Sequence, residues 1–166
     1  MNDLIISHMD AKVLKRLENY ADSPTKLRAA LGRYMKSLGI TPVEPSIAVL
    51  EYLFRNRTHP TAEEIFNHLH SKVQTLTRSS VNTALEILAQ MGAIQIVHVD
   101  TRDARFDGDT THHAHLICAN CGNIEDIPLS NNISDMIAIP DGCVVNDIQM
   151  MCLGLCAKCN QSQKVN

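Results

Sequence analysis

Thr77-Arg78-Ser79-Ser80-Val81-Asn82-Thr83-Ala84-Leu85-Glu86-Ile87-Leu88-Ala89-Gln90-Met91-Gly92, followed by Ala93-Ile94-Gln95-Ile96-Val97-His98-Val99, is the stretch on which the fold turns. Val81, Leu85, Leu88 and Met91 recur at helical spacing and Gly92 is a stop, so the pattern predicts a helix over 79–91 with those four side chains facing inward. Ala93 to Val99 reads as a strand, Asp100 to Asp103 as a turn and Ala104-Arg105-Phe106 as a returning strand.

Upstream, further helices are expected. Ala11 to Tyr20 carries Val13, Leu14 and Leu17 at helical spacing. Ser23-Pro24 is a helix start, and Leu27, Leu31, Tyr34, Met35 and Leu38 follow on one stripe up to Gly39. Thr41 to Pro45 is a connector, and Ser46 to Asn56 is a third helix, apolar at Ile47, Leu50, Leu53 and Phe54. Thr61 with Glu64 fits a capping box, in which hydroxyl and carboxylate satisfy orphan backbone donors reciprocally, and Ile65, Leu69 and Val73 then face inward. Compact helices followed by a hairpin are the pattern of a winged helix, whose last helix enters the major groove and whose wing reaches the phosphate backbone. The pattern equally suits a helical core domain with a hairpin and no nucleic-acid role.

The chain has 166 residues, enough for one ordinary or two small domains, and 45% are apolar, which excludes wholesale disorder. No apolar run approaches the ~18 residues of a membrane helix, and Met1 to Asp10 lacks the plan of a secretory signal, so a cytoplasmic location is expected. The net charge of −3 argues at first against a nucleic-acid partner, but its distribution is uneven. Up to Phe106 there are 13 basic and 11 acidic side chains; beyond it there are 2 against 7, and all 6 cysteines lie there. That asymmetry suggests two domains with different tasks.

Cys118-Ala119-Asn120-Cys121 and Cys156-Ala157-Lys158-Cys159 are two C-x-x-C pairs separated by 34 residues. Each pair can form a tight knuckle aiming two thiolates at one ion, and Gly122 helps the first to close. Two knuckles supply the four sulfur ligands of a closed, structural zinc site, a dithiol redox motif being the alternative. Cys143 and Cys152 lack such spacing and read as buried inert thiols. If His112 to Ile117 is a strand, His113 and His115 share one face while His112 and Cys118 share the other. The H-x-H is thereby directed away from the zinc knuckle and suggests a second metal, with Asp107, Asp109, Glu125 and Asp126 as nearby carboxylates.

Taken in order, Thr58-His59-Pro60-Thr61-Ala62-Glu63-Glu64-Ile65, Arg105-Phe106-Asp107, His113-Ala114-His115-Leu116-Ile117-Cys118-Ala119-Asn120-Cys121-Gly122 and Gly154-Leu155-Cys156-Ala157-Lys158-Cys159 resemble the ferric uptake regulator (Fur) family of bacterial metal-dependent repressors. The resemblance runs from about Leu27 to Cys159. It implies an α+β chain: an N-terminal winged-helix domain that binds double-stranded DNA, then a small α/β domain that forms a homodimer. The corresponding boundaries are a helical extension over 1–22, the winged helix over 23–106, a hinge over 107–112 and the dimerisation and zinc domain over 113–166. It implies structural zinc on Cys118, Cys121, Cys156 and Cys159. It also implies a regulatory divalent ion, Fe(II) or Mn(II), held at the hinge by His59, Asp107, His113, His115 and Asp126. Without the resemblance, His59 reads as an exposed turn residue.

Aspartates at 107 and 126 look like the peroxide-sensing branch, in which bound ferrous iron reacts with peroxide and oxidises a ligand histidine; His59 and His113 are the matching targets. Candidate DNA contacts are Arg78, Ser79, Ser80, Asn82 and Thr83 on the recognition helix and Arg102 and Arg105 on the wing. There are departures. The family's Thr-Val-Tyr-Arg is here Ser80-Val81-Asn82-Thr83, leaving Asn82 as the side chain able to read adenine bidentately. Val43-Glu44-Pro45 lacks the family's arginine, and Ala114, Ile133 and Ile148 stand where ligands of a further family metal site are common. The expectation is a metal-dependent repressor. Alternatives are an iron-, manganese- or haem-responsive regulator without peroxide chemistry, and a zinc-stabilised interaction module with altered DNA recognition. No nucleophile–base pair, phosphate loop or open catalytic zinc pattern points to an enzyme.

Overall fold

A computed structural model describes residues 11–99, 103–130, 137–145 and 148–163. The chain divides into two compact units, with the boundary between Thr111 and His112. The N-terminal unit contains α1 (Ala11–Glu18), α2 (Pro24–Ser37), α3 (Glu44–Arg55), α4 (Ala62–Leu69), α5 (Arg78–Gln90), β1 (Gln95–Val97) and β2 (Arg105–Asp107). The C-terminal unit contains β3 (His113–Cys118), β4 (Ile124–Pro128), β5 (Met150–Gly154) and α6 (Ala157–Gln163).

Local rules account for the helix starts. Pro24 and Pro45 sit in the first turns of α2 and α3, where the missing N–H is no loss. Helix α3 accordingly begins at Glu44, two residues before the expected Ser46, because Pro45 starts the helix instead of closing the connector. The Thr61–Glu64 capping box forms as expected, and a second one joins Thr77 to Ser80 at the start of α5.

One apolar core organises the N-terminal unit. Leu27, Leu31 and Met35 of α2 meet Val49, Leu50 and Leu53 of α3, and Ile65 of α4 and Val81, Leu85 and Leu88 of α5 close the cluster. Leu17 is fully buried among them, so α1 docks on this unit. Met91 is a correction to the expected stripe: it is the C-cap residue of α5 and is exposed, because the inward face ends with Leu88. The hairpin β1–β2 is antiparallel, pairing Ile96 with Phe106. The expected turn at Asp100 to Asp103 lies, up to residue 102, outside the described residues, as do Arg102, Ile133 and Met1 to Asp10.

The C-terminal unit is built on the sheet β4-β3-β5, antiparallel between β3 and β4 and parallel between β3 and β5. Its buried apolar side chains among the described residues are Ala114, Ile124 and three thiols, Cys118, Cys156 and Cys159. The cysteines are therefore most of the core of this unit. No helix among the described residues is long and apolar enough to cross a membrane.

Candidate metal centres and nucleic-acid face

The four-cysteine cluster follows from the sheet. The turn after β3 closes through the Gly122 N–H donating to the Cys118 carbonyl at 2.8 Å, with Gly122 at φ +70°, a left-handed conformation that favours glycine. Parallel pairing sets Cys118 beside Gly154, and the Ala119 N–H donates to the Gly154 carbonyl at 2.8 Å, which brings Cys156 to the first knuckle. The sulfurs of Cys118, Cys121, Cys156 and Cys159 all lie within 4.8 Å of one another. Cys121 and Cys156 are 3.8 Å apart. Four sulfurs about 2.3 Å from one tetrahedral ion stand about 3.8 Å apart, so the cluster has the donor set and the size of a zinc site. Backbone N–H donors of Cys156 and Cys121 hold the Cys118 thiol down to about 6. The Asn123 backbone N–H favours the Cys121 thiolate, yet hydrogen bonds shared with the Cys118 and Cys159 sulfurs push that thiol up to about 12. The opposite shifts come from two thiols crowded into one cluster, a crowding that a bound cation relieves.

Three further donors of this unit converge on the other face of β3. His113 and His115 are two residues apart on one strand and share a face, and His115 pairs directly across the ladder with Asp126 of β4. The Nε2 atoms of His113 and His115 are 3.0 Å apart, and an Asp126 oxygen lies 3.5 Å from the first and 3.9 Å from the second. Two nitrogens about 2.1 Å from one ion and at right angles to each other stand about 3.0 Å apart. Two imidazole nitrogens and a carboxylate form a donor set suited to Fe, Mn or Zn.

In the N-terminal unit His59 and Asp107 form a second donor pair. Phe106 donates its N–H to the Pro60 carbonyl at 3.0 Å, and Thr61 bridges Arg105, so the end of β2 runs beside the residues preceding α4. This places His59 Nε2 3.7 Å from an Asp107 oxygen, with both side chains buried. His59 is 1% exposed and its φ is +50°. A left-handed non-glycine residue stores about 1–3 kcal/mol of local strain, a feature concentrated at functional positions. The reading of His59 as an exposed turn residue is thereby corrected.

The candidate DNA contacts divide. Ser79, Asn82 and Thr83 are exposed on the face of α5 opposite its buried stripe, and Glu86 shares that face. Ser80 is engaged in the cap of α5. Arg78 donates twice to Glu63, at 2.8 and 2.7 Å, and lies 4.4 Å over the ring of Phe66. The pairing with Glu63 raises Arg78 and lowers Glu63 from their ordinary values. Arg105 donates to the His59 carbonyl at 3.2 Å and stands 3.5 Å from Glu64. Both cations therefore have intramolecular partners that the one-dimensional pattern gave no sign of. Cys143 and Cys152 are corrections: both are exposed, Cys143 outside any strand and Cys152 on β5, whose three central residues are exposed on both faces of the strand.

Comparison with known proteins agrees with these features. The model of the ferric uptake regulator family matches residues 38–152. The peroxide operon regulator of Bacillus subtilis is 28% identical over 131 residues, covering 78% of this chain and 90% of that protein. The ferric uptake regulator Fur of Helicobacter pylori superposes with a TM-score of 0.60 at 20% identity, covering 93% of this chain and 97% of that one. A manganese-bound ferric uptake regulator of Pseudomonas aeruginosa gives 0.62 at 18% identity, covering 76% and 97%. These structural likenesses show the shared fold.

Proposed function

This chain belongs to the ferric uptake regulator family, and from that premise we propose that it is a homodimeric, metal-dependent transcriptional repressor that binds double-stranded DNA. The winged helix over 23–106 is the DNA-binding part, 107–112 the hinge and 113–166 the dimerisation and zinc domain, preceded by a helical extension over 1–22. Zinc on Cys118, Cys121, Cys156 and Cys159 is structural, since four protein sulfurs leave no open position. The regulatory ion is held jointly by His59 and Asp107 of one domain and His113, His115 and Asp126 of the other. The observation that carries this reading is the 3.0 Å approach of the His113 and His115 nitrogens beside Asp126, a three-donor set still short of full coordination.

The residues perform the regulation as follows. His59 and Asp107 move with the recognition helix α5, whereas His113, His115 and Asp126 move with the dimerising sheet. A ligand shared by both sets favours the domain arrangement in which all five donors reach it, and only by its differential affinity for that arrangement. In a two-fold dimer the two α5 helices then match half-sites about one helical turn of DNA apart. Ser79, Asn82 and Thr83 meet base edges, while Arg78, Ser80, Arg102 and Arg105 serve the phosphate backbone.

Two aspartates in the donor set, and the similarity to the peroxide operon regulator of Bacillus subtilis, support a peroxide response. Bound ferrous iron would supply the reduction of peroxide, with a ligand histidine, His59 or His113, as the group oxidised. Mass spectrometry after iron and peroxide treatment tests this: added oxygen on His59 or His113 with loss of operator binding is expected. Intact histidines with operator binding unchanged would leave a metal-responsive regulator without peroxide chemistry. Selection of bound genomic fragments with Fe, Mn, Zn and no added metal tests the broader reading. Enrichment of a shared operator that requires a divalent ion is expected, whereas no specific enrichment under any metal loading would favour the interaction module.

A further inference from the structure

Beyond the five donors, the loop that carries Asp107 is fastened by a chain of contacts reaching the N-terminal helix. The Asp109 backbone N–H donates to Asp107 Oδ1 at 2.8 Å, while the other oxygen, Oδ2, is the one 3.7 Å from His59 Nε2. One oxygen of the carboxylate is thus anchored and the second is aimed at the histidine. The Asp109 side chain is itself buried, 9% exposed, and its Oδ1 accepts from the Thr111 N–H at 2.9 Å and the Thr111 hydroxyl at 2.7 Å. Its Oδ2 lies 3.1 Å from Arg57 Nη1. The other terminal nitrogen of Arg57 stands 3.3 Å from Glu18, on α1. Asp109 therefore has both oxygens engaged in holding the loop and is a support for Asp107, not a further donor.

The backbone of the same loop is pinned from beneath. A Cβ on Gly108 would stand 2.8 Å from the Leu53 carbonyl carbon and 3.0 Å from the Phe54 nitrogen, so the loop rests directly on the α3 backbone. Tyr34 of α2 also hydrogen-bonds Thr110 of the same loop. With the backbone so held, the Asp109 N–H fixes one oxygen of the Asp107 carboxylate and thereby its direction.

We infer that Asp109 and Arg57 are positioning residues for the metal-binding carboxylate Asp107, and that the salt bridge from Arg57 to Glu18 makes the N-terminal helix α1 a tuning element of the regulatory site. The inference rests on the functional reading above, in that it takes Asp107 as a ligand. Outer-shell partners that orient a ligand typically change metal affinity by about 10–100-fold when removed. The effect falls along the chain of contacts, from buried Asp109 to Arg57 and then to Glu18, whose pair with Arg57 is half-exposed and solvent-screened.

The test is Mn2+ titration of the full-length, zinc-loaded protein, read by the electron paramagnetic resonance of bound Mn2+, with zinc content and thermal unfolding followed in parallel. Asp109→Ala is expected to weaken Mn2+ binding by about 10–100-fold and to broaden the bound-Mn2+ spectrum, at unchanged zinc content. Asp109→Asn, which keeps an acceptor for Thr111 and loses the charge facing Arg57, recovers part of that loss. Arg57→Gln behaves like Asp109→Asn, and Glu18→Gln weakens Mn2+ binding by about two- to fivefold at low salt and not at high salt, parental affinity at low salt overturning the role of α1. His113→Ala separates the two levels. If His113→Ala abolishes Mn2+ binding while Asp109→Asn and Arg57→Gln bind as the parent does, the positioning role is overturned and the functional reading stands. If His113→Ala binds Mn2+ like the parent, the functional reading fails and this inference with it. If Asp109→Ala does not fold, Arg57→Gln decides, and parental affinity in that variant overturns the proposal.

Discussion

Replacing Cys156 by serine should unfold the C-terminal unit while leaving the N-terminal unit intact. Two of the buried apolar side chains there, Ala114 and Ile124, are not zinc-site thiols; burying Ile124 contributes about 1.5–3 kcal/mol and the single methyl of Ala114 about 0.8 kcal/mol. A structural four-cysteine zinc contributes about 10–16 kcal/mol at neutral pH, as much as the whole stability of a typical domain, about 5–15 kcal/mol. Removing one sulfur, or the ion, therefore removes the principal source of stability for the sheet β4-β3-β5. The N-terminal unit keeps its own core from Leu27 to Leu88 and does not depend on it. Amide hydrogen exchange followed by mass spectrometry is the assay. Cys156→Ser, or the parent protein under a strong chelator, should lose protection over His113–Cys118 and Ile124–Pro128 while Glu44–Arg55 and Arg78–Gln90 stay protected. Parental protection of β3 and β4 in demonstrably zinc-free protein would refute the reasoning.

Other expectations follow from particular contacts. Glu63→Gln releases Arg78 from its bidentate partner, so DNA affinity should rise, whereas Arg78→Ala should reduce the slope of log affinity against log salt by about 1, read by fluorescence anisotropy across a salt series. Asn82→Ala should cost about 1–3 kcal/mol of discrimination at one operator position and leave non-specific binding unchanged, which competition with single-base operator variants would measure. Gly108→Ala should destabilise the N-terminal unit by about 1–3 kcal/mol, because the new methyl meets α3 backbone, as chemical denaturation would show. In native zinc-loaded protein a maleimide should label Cys143 and Cys152 and spare the other four thiols, with zinc retained; labelling of all six with zinc in place would contradict the assignment of ligands.

Much of the fold was legible because local chemistry fixes it. The Thr61–Glu64 cap, the proline-started helices and the apolar stripes of α2, α3 and α5 all act within one or two turns, and the structure has them. The two cysteine pairs announced a four-sulfur cluster through spacing alone. Contacts between distant residues were less legible. Asp126 faces His115 only because a short turn sets the β3–β4 register, and the sequence pattern does not encode that register by itself. Arg78 and Arg105 read as free cations, yet their partners Glu63 and Glu64 lie 15 and 41 positions away. Cys143 and Cys152 were expected inside because free cysteine usually behaves as a small hydrophobe, an average that says nothing about a loop residue such as Cys143 or an exposed edge strand such as β5. Met91 continued the apolar spacing past the point where α5 ends.

The most direct test of the central claim measures operator affinity of the zinc-loaded parent and of His113→Ala, with and without Mn2+, at fixed salt. Moving a two-state equilibrium from one side to the other requires about 10⁴-fold preference of the ligand for one state, and even partial coupling of 1–3 kcal/mol changes affinity by about 5–150-fold. The parent should therefore bind its operator at least about fivefold more tightly with Mn2+. His113→Ala should bind equally with and without the ion while retaining its zinc. Equal operator affinity of the parent in both conditions, or an undiminished Mn2+ effect in His113→Ala, would contradict metal-gated DNA binding through this donor set.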